Sequence, residues 1–130
     1  MVHEDKKLLV LDDEAFVRDS FVDYFEDCLW KVKFAENEND ALEIVRNNEI
    51  DCAIVDIRMG GIGGDQFIRE ANKIQPSISF AICTGSPEYE MPKDLVAMEN
   101  VSNHIFSKPV SDLENLESTL SQMVKVKNSI

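Results

Sequence analysis

Four short segments of this chain each stop at a residue that can do chemistry. Leu8 to Leu11 stops at Asp12-Asp13-Glu14, Cys52 to Val55 at Asp56, Ile78 to Cys83 at Thr84, and His104 to Ser107 at Lys108. Brought together, Asp12, Asp13 and Asp56 would crowd several negative charges into a small space. Like charges so close raise one another's pKa unless a cation balances them. A hard divalent cation with oxygen ligands does this, and magnesium also binds phosphate oxygens. Asp56 could then attack phosphorus, because the metal offsets the repulsion between carboxylate and phosphoryl group. Lys108 offers a mobile positive charge for a phosphoryl oxygen, and Thr84 a hydroxyl donor. An acid cluster, a nucleophile, a hydroxyl and a lysine make a phosphoryl-transfer site.

Each residue alone means less. A single acid after a strand is commonly a cap or a loop residue, a single Thr a capping hydroxyl, and Lys-Pro a turn. The glycine-rich stretch Gly60 to Gly64 lacks the following Lys-Ser/Thr of a P-loop, so it reads as a plain loop.

The elements that must position these residues follow from periodicity. Leu8 to Leu11 and Cys52 to Val55 are continuous apolar runs, and Trp30 to Ala35, Ile78 to Cys83 and His104 to Ser107 complete a set of five strands. Helical spacing falls between and after them. Ala15 to Cys28 carries Val17, Phe21, Tyr24, Phe25 and Cys28 on one stripe, and Asn39 or Asp40 to Asn47 carries Ala41, Leu42 and Val45. A third helix runs from about Asp65 to Gln75 before Pro76, a short fourth from about Lys93 to Glu99, and a fifth is capped by Ser111. Lys125 and Lys127 suit the end of that last helix. Strands apolar on both faces sit between helices, which means a parallel sheet. Right-handed crossovers then give a doubly wound α/β fold. All strand carboxyl ends share one edge, where ligands bind in open α/β sheets.

Bulk properties narrow the choices. The 130 residues suit one domain, read as 1–130 with a core of about 7–124, and 44% hydrophobic residues suffice for a core. The formal net charge is -12, from 13 basic and 25 acidic residues. That balance argues against gripping nucleic acid or anionic lipid directly. Cys28, Cys52 and Cys83 form no disulfide framework or zinc spacing, and the two histidines lie far apart. A reduced, cytoplasmic setting is expected. No apolar run is long enough to span a membrane, and the first residues carry no apolar signal core.

The segments Leu8-Leu9-Val10-Leu11-Asp12-Asp13-Glu14, Asp56-Ile57-Arg58-Met59, Thr84-Gly85 and Ser107-Lys108-Pro109 resemble the receiver domain of bacterial two-component response regulators. The resemblance covers about Lys7 to Val124. It implies a five-stranded parallel sheet in order 2-1-3-4-5 with helices on both faces. It implies that Asp56 is the phosphoacceptor, Lys108 the phosphate partner and Thr84 the switch residue. It further implies magnesium held by Asp13, Asp56 and the backbone carbonyl of Arg58, with Asp12 acting through water. The implied partners are a sensor histidine kinase or phosphotransfer protein, a downstream output domain or protein, and a second copy in a homodimer. Such a domain catalyses its own phosphorylation and dephosphorylation, but it is a signalling domain and not a separate enzyme.

Several positions depart from the family pattern. Gly60 stands where proline is usual, Val101-Ser102 where Gly-Ala is usual, and Ile105 where an aromatic is usual. Phe106 comes one place later and, on a strand, faces the other side. These departures keep open a second reading, a receiver-like interaction module that works without phosphorylation. An aspartate-nucleophile phosphatase fits less well, because its first-strand Asp-x-Asp pattern meets Glu14 here.

Overall fold

A computed structural model of the chain describes residues 5–57 and 63–127. Its elements are β1 (Lys7–Leu11), α1 (Ala15–Asp27), β2 (Lys31–Ala35), α2 (Glu38–Asn47), β3 (Cys52–Asp56), α3 (Gly63–Ile74), β4 (Ser79–Thr84), α4 (Lys93–Val96), β5 (Val101–Ser107) and α5 (Leu113–Lys127). The strands form one sheet in the order β2-β1-β3-β4-β5, with every neighbouring pair parallel. This is the doubly wound topology expected from the sequence.

Alternation along the strands divides the core into two layers. Leu9, Leu11, Ala53, Val55, Phe80 and Ile82 pack with Ala41, Leu42, Phe67, Ile68 and Leu95 on the side of α2, α3 and α4. Leu8, Val10, Cys52, Ile54, Ala81 and Cys83 pack with Phe21, Phe25, Leu116 and Leu120 on the side of α1 and α5. Because successive side chains on a strand point to opposite faces, a strand clad on both sides must be apolar throughout. That is why β3 reads as an unbroken run. Asp56, the last residue of β3, pairs in register with Cys83, and Thr84 with Ser107.

Most boundaries agree with the sequence reading to within a residue or two, and four differences have a clear local reason. The third helix starts at Gly63, two residues before the expected Asp65. Gly63 has φ +84, a conformation open to glycine, and the buried Glu38 carboxylate accepts its N–H at 2.9 Å. The fourth helix ends at Val96 and not near Glu99, while β5 begins at Val101 and not at His104. Asn100 causes both changes. Its Nδ2 donates to the carbonyl of Ile78 and to Oδ1 of Asn72, each at 2.8 Å, and its carbonyl accepts the N–H of Phe80 at 2.7 Å. The chain is thus drawn into the sheet early. Ser111 is not the cap of the last helix: Asp112 Oδ1 accepts the N–H of Asn115 at 3.0 Å, and the helix opens at Leu113. No described helix is long and apolar enough to cross a membrane.

Candidate functional site

The end of β1 delivers Asp12 into the interior, where it is 1% exposed. Its backbone N–H donates to the carbonyl of Ala35 at 3.2 Å, continuing the sheet one residue past β1. Its Oδ1 accepts the N–H of Glu14 at 2.9 Å, and Arg18 Nη1 donates to its carbonyl at 3.2 Å. The side chain is thereby turned toward the sheet edge. Asp13 and Glu14 follow as exposed residues at the start of α1. Asp56 ends β3 and is 3% exposed.

Ligand oxygens of Asp12, Asp13, Glu14 and Asp56 all lie within 4.8 Å of one another. The sequence reading placed Asp12, Asp13 and Asp56 together as metal-site candidates. Glu14 was visible as the third acid of the triplet but was not assigned to the metal. The Arg58 carbonyl lies outside the described residues.

Lys108 closes the cluster from the far side of the sheet. Its backbone N–H donates to the carbonyl of Thr84 at 2.9 Å, which anchors it just past β5. Its Nζ stands 2.7 Å from Asp12 Oδ2, 3.2 Å from Asp56 Oδ2 and 3.5 Å from Glu14 Oε1. Burial alone would pull the ammonium's pKa down, but Asp12 and then Asp56 outweigh it and raise it above the ordinary lysine value. The ammonium is thus an internal counter-ion of the acid cluster. Four clustered carboxylates, three of them around one ammonium and two of them exposed on the open side, make a hard-oxygen donor set suited to magnesium.

Thr84 is buried at the end of β4, and its Oγ1 accepts the N–H of Ser86 at 3.1 Å. The next residues, Gly85 and Ser86, line the cleft over the cluster with Glu14, Val17, Asp56 and Lys108, enclosing about 410 Å³. Cys83 sits directly below. Burial pushes its thiol up to about 12, so it stays protonated and inert. A larger groove of about 770 Å³ lies along β2 and the start of β1, lined by Trp30, Lys31, Lys33 and Glu49. It gathers no comparable donor set, so chemistry and not size singles out the smaller cleft.

The family model described as the response regulator receiver domain matches residues 8–121. This chain belongs to that family. Among curated relatives, the receiver domain is 26% identical over 124 residues to the uncharacterized transcriptional regulatory protein YesN of Bacillus subtilis. That alignment covers 91% of this chain but only 32% of the regulator, so the receiver domain spans about a third of the relative's length. Among solved structures, it resembles a CheY-like response regulator receiver domain protein from Methanospirillum hungatei. The TM-score is 0.79 at 21% identity, covering 95% of this chain and 99% of that one. It also resembles a Burkholderia pseudomallei response regulator solved with a phosphorylated aspartic acid, a calcium ion and citrate. There the TM-score is 0.78 at 22% identity, covering 95% and 71%. At these identities the two structures speak to the fold.

Two features of this receiver domain escaped sequence reasoning. The Tyr89 hydroxyl donates to Asp65 Oδ1 at 2.6 Å, tying the segment after Thr84 to the first turn of α3. Arg69 reaches both oxygens of Asp94, at 2.7 and 3.0 Å, tying α3 to α4. Both pairs are separated by about 25 residues, and no local pattern announces them. Ile105 is partly buried against the layer of α2, α3 and α4, while Phe106 is buried in the layer of α1 and α5.

Proposed function

We propose that this chain is a phosphorylation-dependent signalling switch, with residues 1–130 forming one receiver domain. An Asp56 carboxylate oxygen attacks the phosphorus of a phosphohistidine on a sensor kinase or phosphotransfer protein, or of a small acyl phosphate. The new O–P bond forms as the donor's N–P or O–P bond breaks; an imidazole leaving group takes a proton from solvent, whereas the carboxylate of an acyl phosphate leaves as the anion. Asp13, Asp56 and the Arg58 carbonyl are the proposed holders of magnesium, with Asp12 acting through water. When bound, the ion neutralises charge on the transferring group. Lys108 then turns from the carboxylates to a phosphoryl oxygen, and the Thr84 hydroxyl leaves Ser86 to donate to another.

The observation that carries this reading is the Lys108 ammonium held between Asp12 and Asp56 at the carboxyl edge of the sheet. Such a cation is already at the place where a phosphoryl group on Asp56 needs one. The downstream partner, an output domain or separate protein, reads the face of α4, β5 and α5, which a second copy could also cover. The domain touches no nucleic acid itself, works in the cytoplasm, and acts on no substrate beyond its own Asp56.

One observation favours the second reading, a module that works without phosphorylation. Ile105 occupies the usual aromatic position and packs into the α2–α4 layer. Acetyl phosphate with magnesium separates the two. The switch reading expects one added phosphoryl mass, labile in base, present in the wild type and absent in Asp56→Asn. An unlabelled wild type supports the module.

A further inference from the structure

Glu38 opens α2 and is 4% exposed. No lysine or arginine pairs with it among the described residues. A buried carboxylate is costly unless hydrogen bonds and local dipoles hold it. Here its Oε2 accepts the N–H of Gly63 at 2.9 Å. Gly63 is the first residue of α3, so the carboxylate caps one helix from the first turn of another. Both helix starts carry partial positive charge, and one acid serves both.

The next residue carries this anchor to the chemistry. A Cβ on Gly64 would meet the Asp56 carbonyl oxygen at 2.5 Å and the Ile57 Cα at 3.0 Å. The start of α3 therefore rests on the backbone of the acceptor strand with no slack. Gly64 N–H also donates to the Ile57 carbonyl at 3.4 Å. Two adjacent glycines thus join the Glu38 carboxylate to the main chain of Asp56.

We propose that Glu38 is a positioning residue for Asp56, fixing the helix start that backs the phosphoacceptor. The inference rests on the reading of Asp56 given above. Without the carboxylate, the Gly63 N–H loses its acceptor and the first turn of α3 is free to shift. Asp56 is then no longer held in line with its donor and with Lys108.

The test is the rate of Asp56 phosphorylation by acetyl phosphate in saturating magnesium, across donor concentrations. Glu38→Ala is expected to lower the plateau rate roughly tenfold, as small misplacements of reacting groups do, with the half-saturating donor concentration unchanged. Glu38→Gln keeps an acceptor oxygen and is expected to recover most of the rate. Val45→Ala, a cavity in the same helix, controls for lost stability and is expected to leave the plateau unchanged. Amide shifts of Asp56 and Ile57 should move in Glu38→Ala and not in Val45→Ala. If Glu38→Ala does not fold, Glu38→Asp, with its shorter reach, should show the fallen plateau. A wild-type plateau in Glu38→Ala or Glu38→Asp, or an equal fall in Val45→Ala, overturns the role of Glu38. An unlabelled wild type instead overturns the phosphoacceptor reading, and this role with it.

Discussion

Asp12 and Asp56, at the ends of β1 and β3, are fixed by main-chain bonds and close packing. Asp12 continues the sheet by its bond to Ala35, and Asp56 has the start of α3 seated against its carbonyl. The other half of the rim shares one such main-chain bond, from Lys108 N–H to the Thr84 carbonyl, but the segment between β4 and α4 is held chiefly by side-chain ties. Thr84 keeps its hydroxyl on Ser86, Tyr89 reaches Asp65, and Arg69 grips Asp94 on a helix of only four residues. Main-chain bonds and close packing resist exchange, because several contacts must give way together. A single hydrogen bond contributes about 1 kcal/mol and can be exchanged. The contrast teaches a division of labour: the first half holds the chemistry still, and the second can move in response.

Lys108 spans the two halves, so its loss should have the largest effect. Lys108→Ala removes an ammonium that two buried carboxylates share. Taking one partner from a buried ion pair costs about 3 kcal/mol. Urea unfolding should show a loss of that order without divalent ions, and magnesium should recover part of it. Full stability in the variant without magnesium would mean that the halves are not joined through this residue.

A smaller effect is expected within the movable half. Tyr89→Phe should cost about 1 kcal/mol locally, seen as faster amide exchange across residues 86–91. Phosphorylation by acetyl phosphate should keep its wild-type rate. Burial, and then the bond to Asp65, raise the Tyr89 phenol above its ordinary value. The folded protein thus holds this proton more tightly than the unfolded chain does. The tie therefore contributes fully below pH of about 10 and is lost as pH rises through the higher folded value. Wild-type protein should loosen in this segment only in that alkaline range. Equal exchange in Tyr89→Phe and wild type would remove Tyr89 from the account.

The fixed half was the more legible in sequence. Leu8 to Leu11 and Cys52 to Val55 are clad on both faces, so continuous apolar runs marked β1 and β3 and pointed to Asp12 and Asp56 at their ends. Local signals of that kind need no knowledge of distant contacts. The movable half was less legible because its boundaries depend on such contacts. Asn100 bonds to Ile78 and Asn72, which shortens α4 and lengthens β5. Tyr89 and Asp94 gain their meaning only from Asp65 and Arg69 on α3. Glu38 carries no signal of its own in the sequence, and only folding brings Gly63 to it. At the start of α5 two adjacent residues could cap, and Asp112, not Ser111, does so.

The division of labour is tested most directly by paired structures without and with magnesium and beryllofluoride, a phosphoryl mimic. The main chain at Asp12, Asp13 and Asp56 should superpose, while Thr84 to Pro92 and α4 shift and the Tyr89–Asp65 bond opens. Ile105, β-branched and restricted in rotamer, should keep its side-chain conformation. A motionless Thr84 to Pro92 segment, or a large rotation of Ile105 with the Tyr89–Asp65 bond intact, would contradict the account.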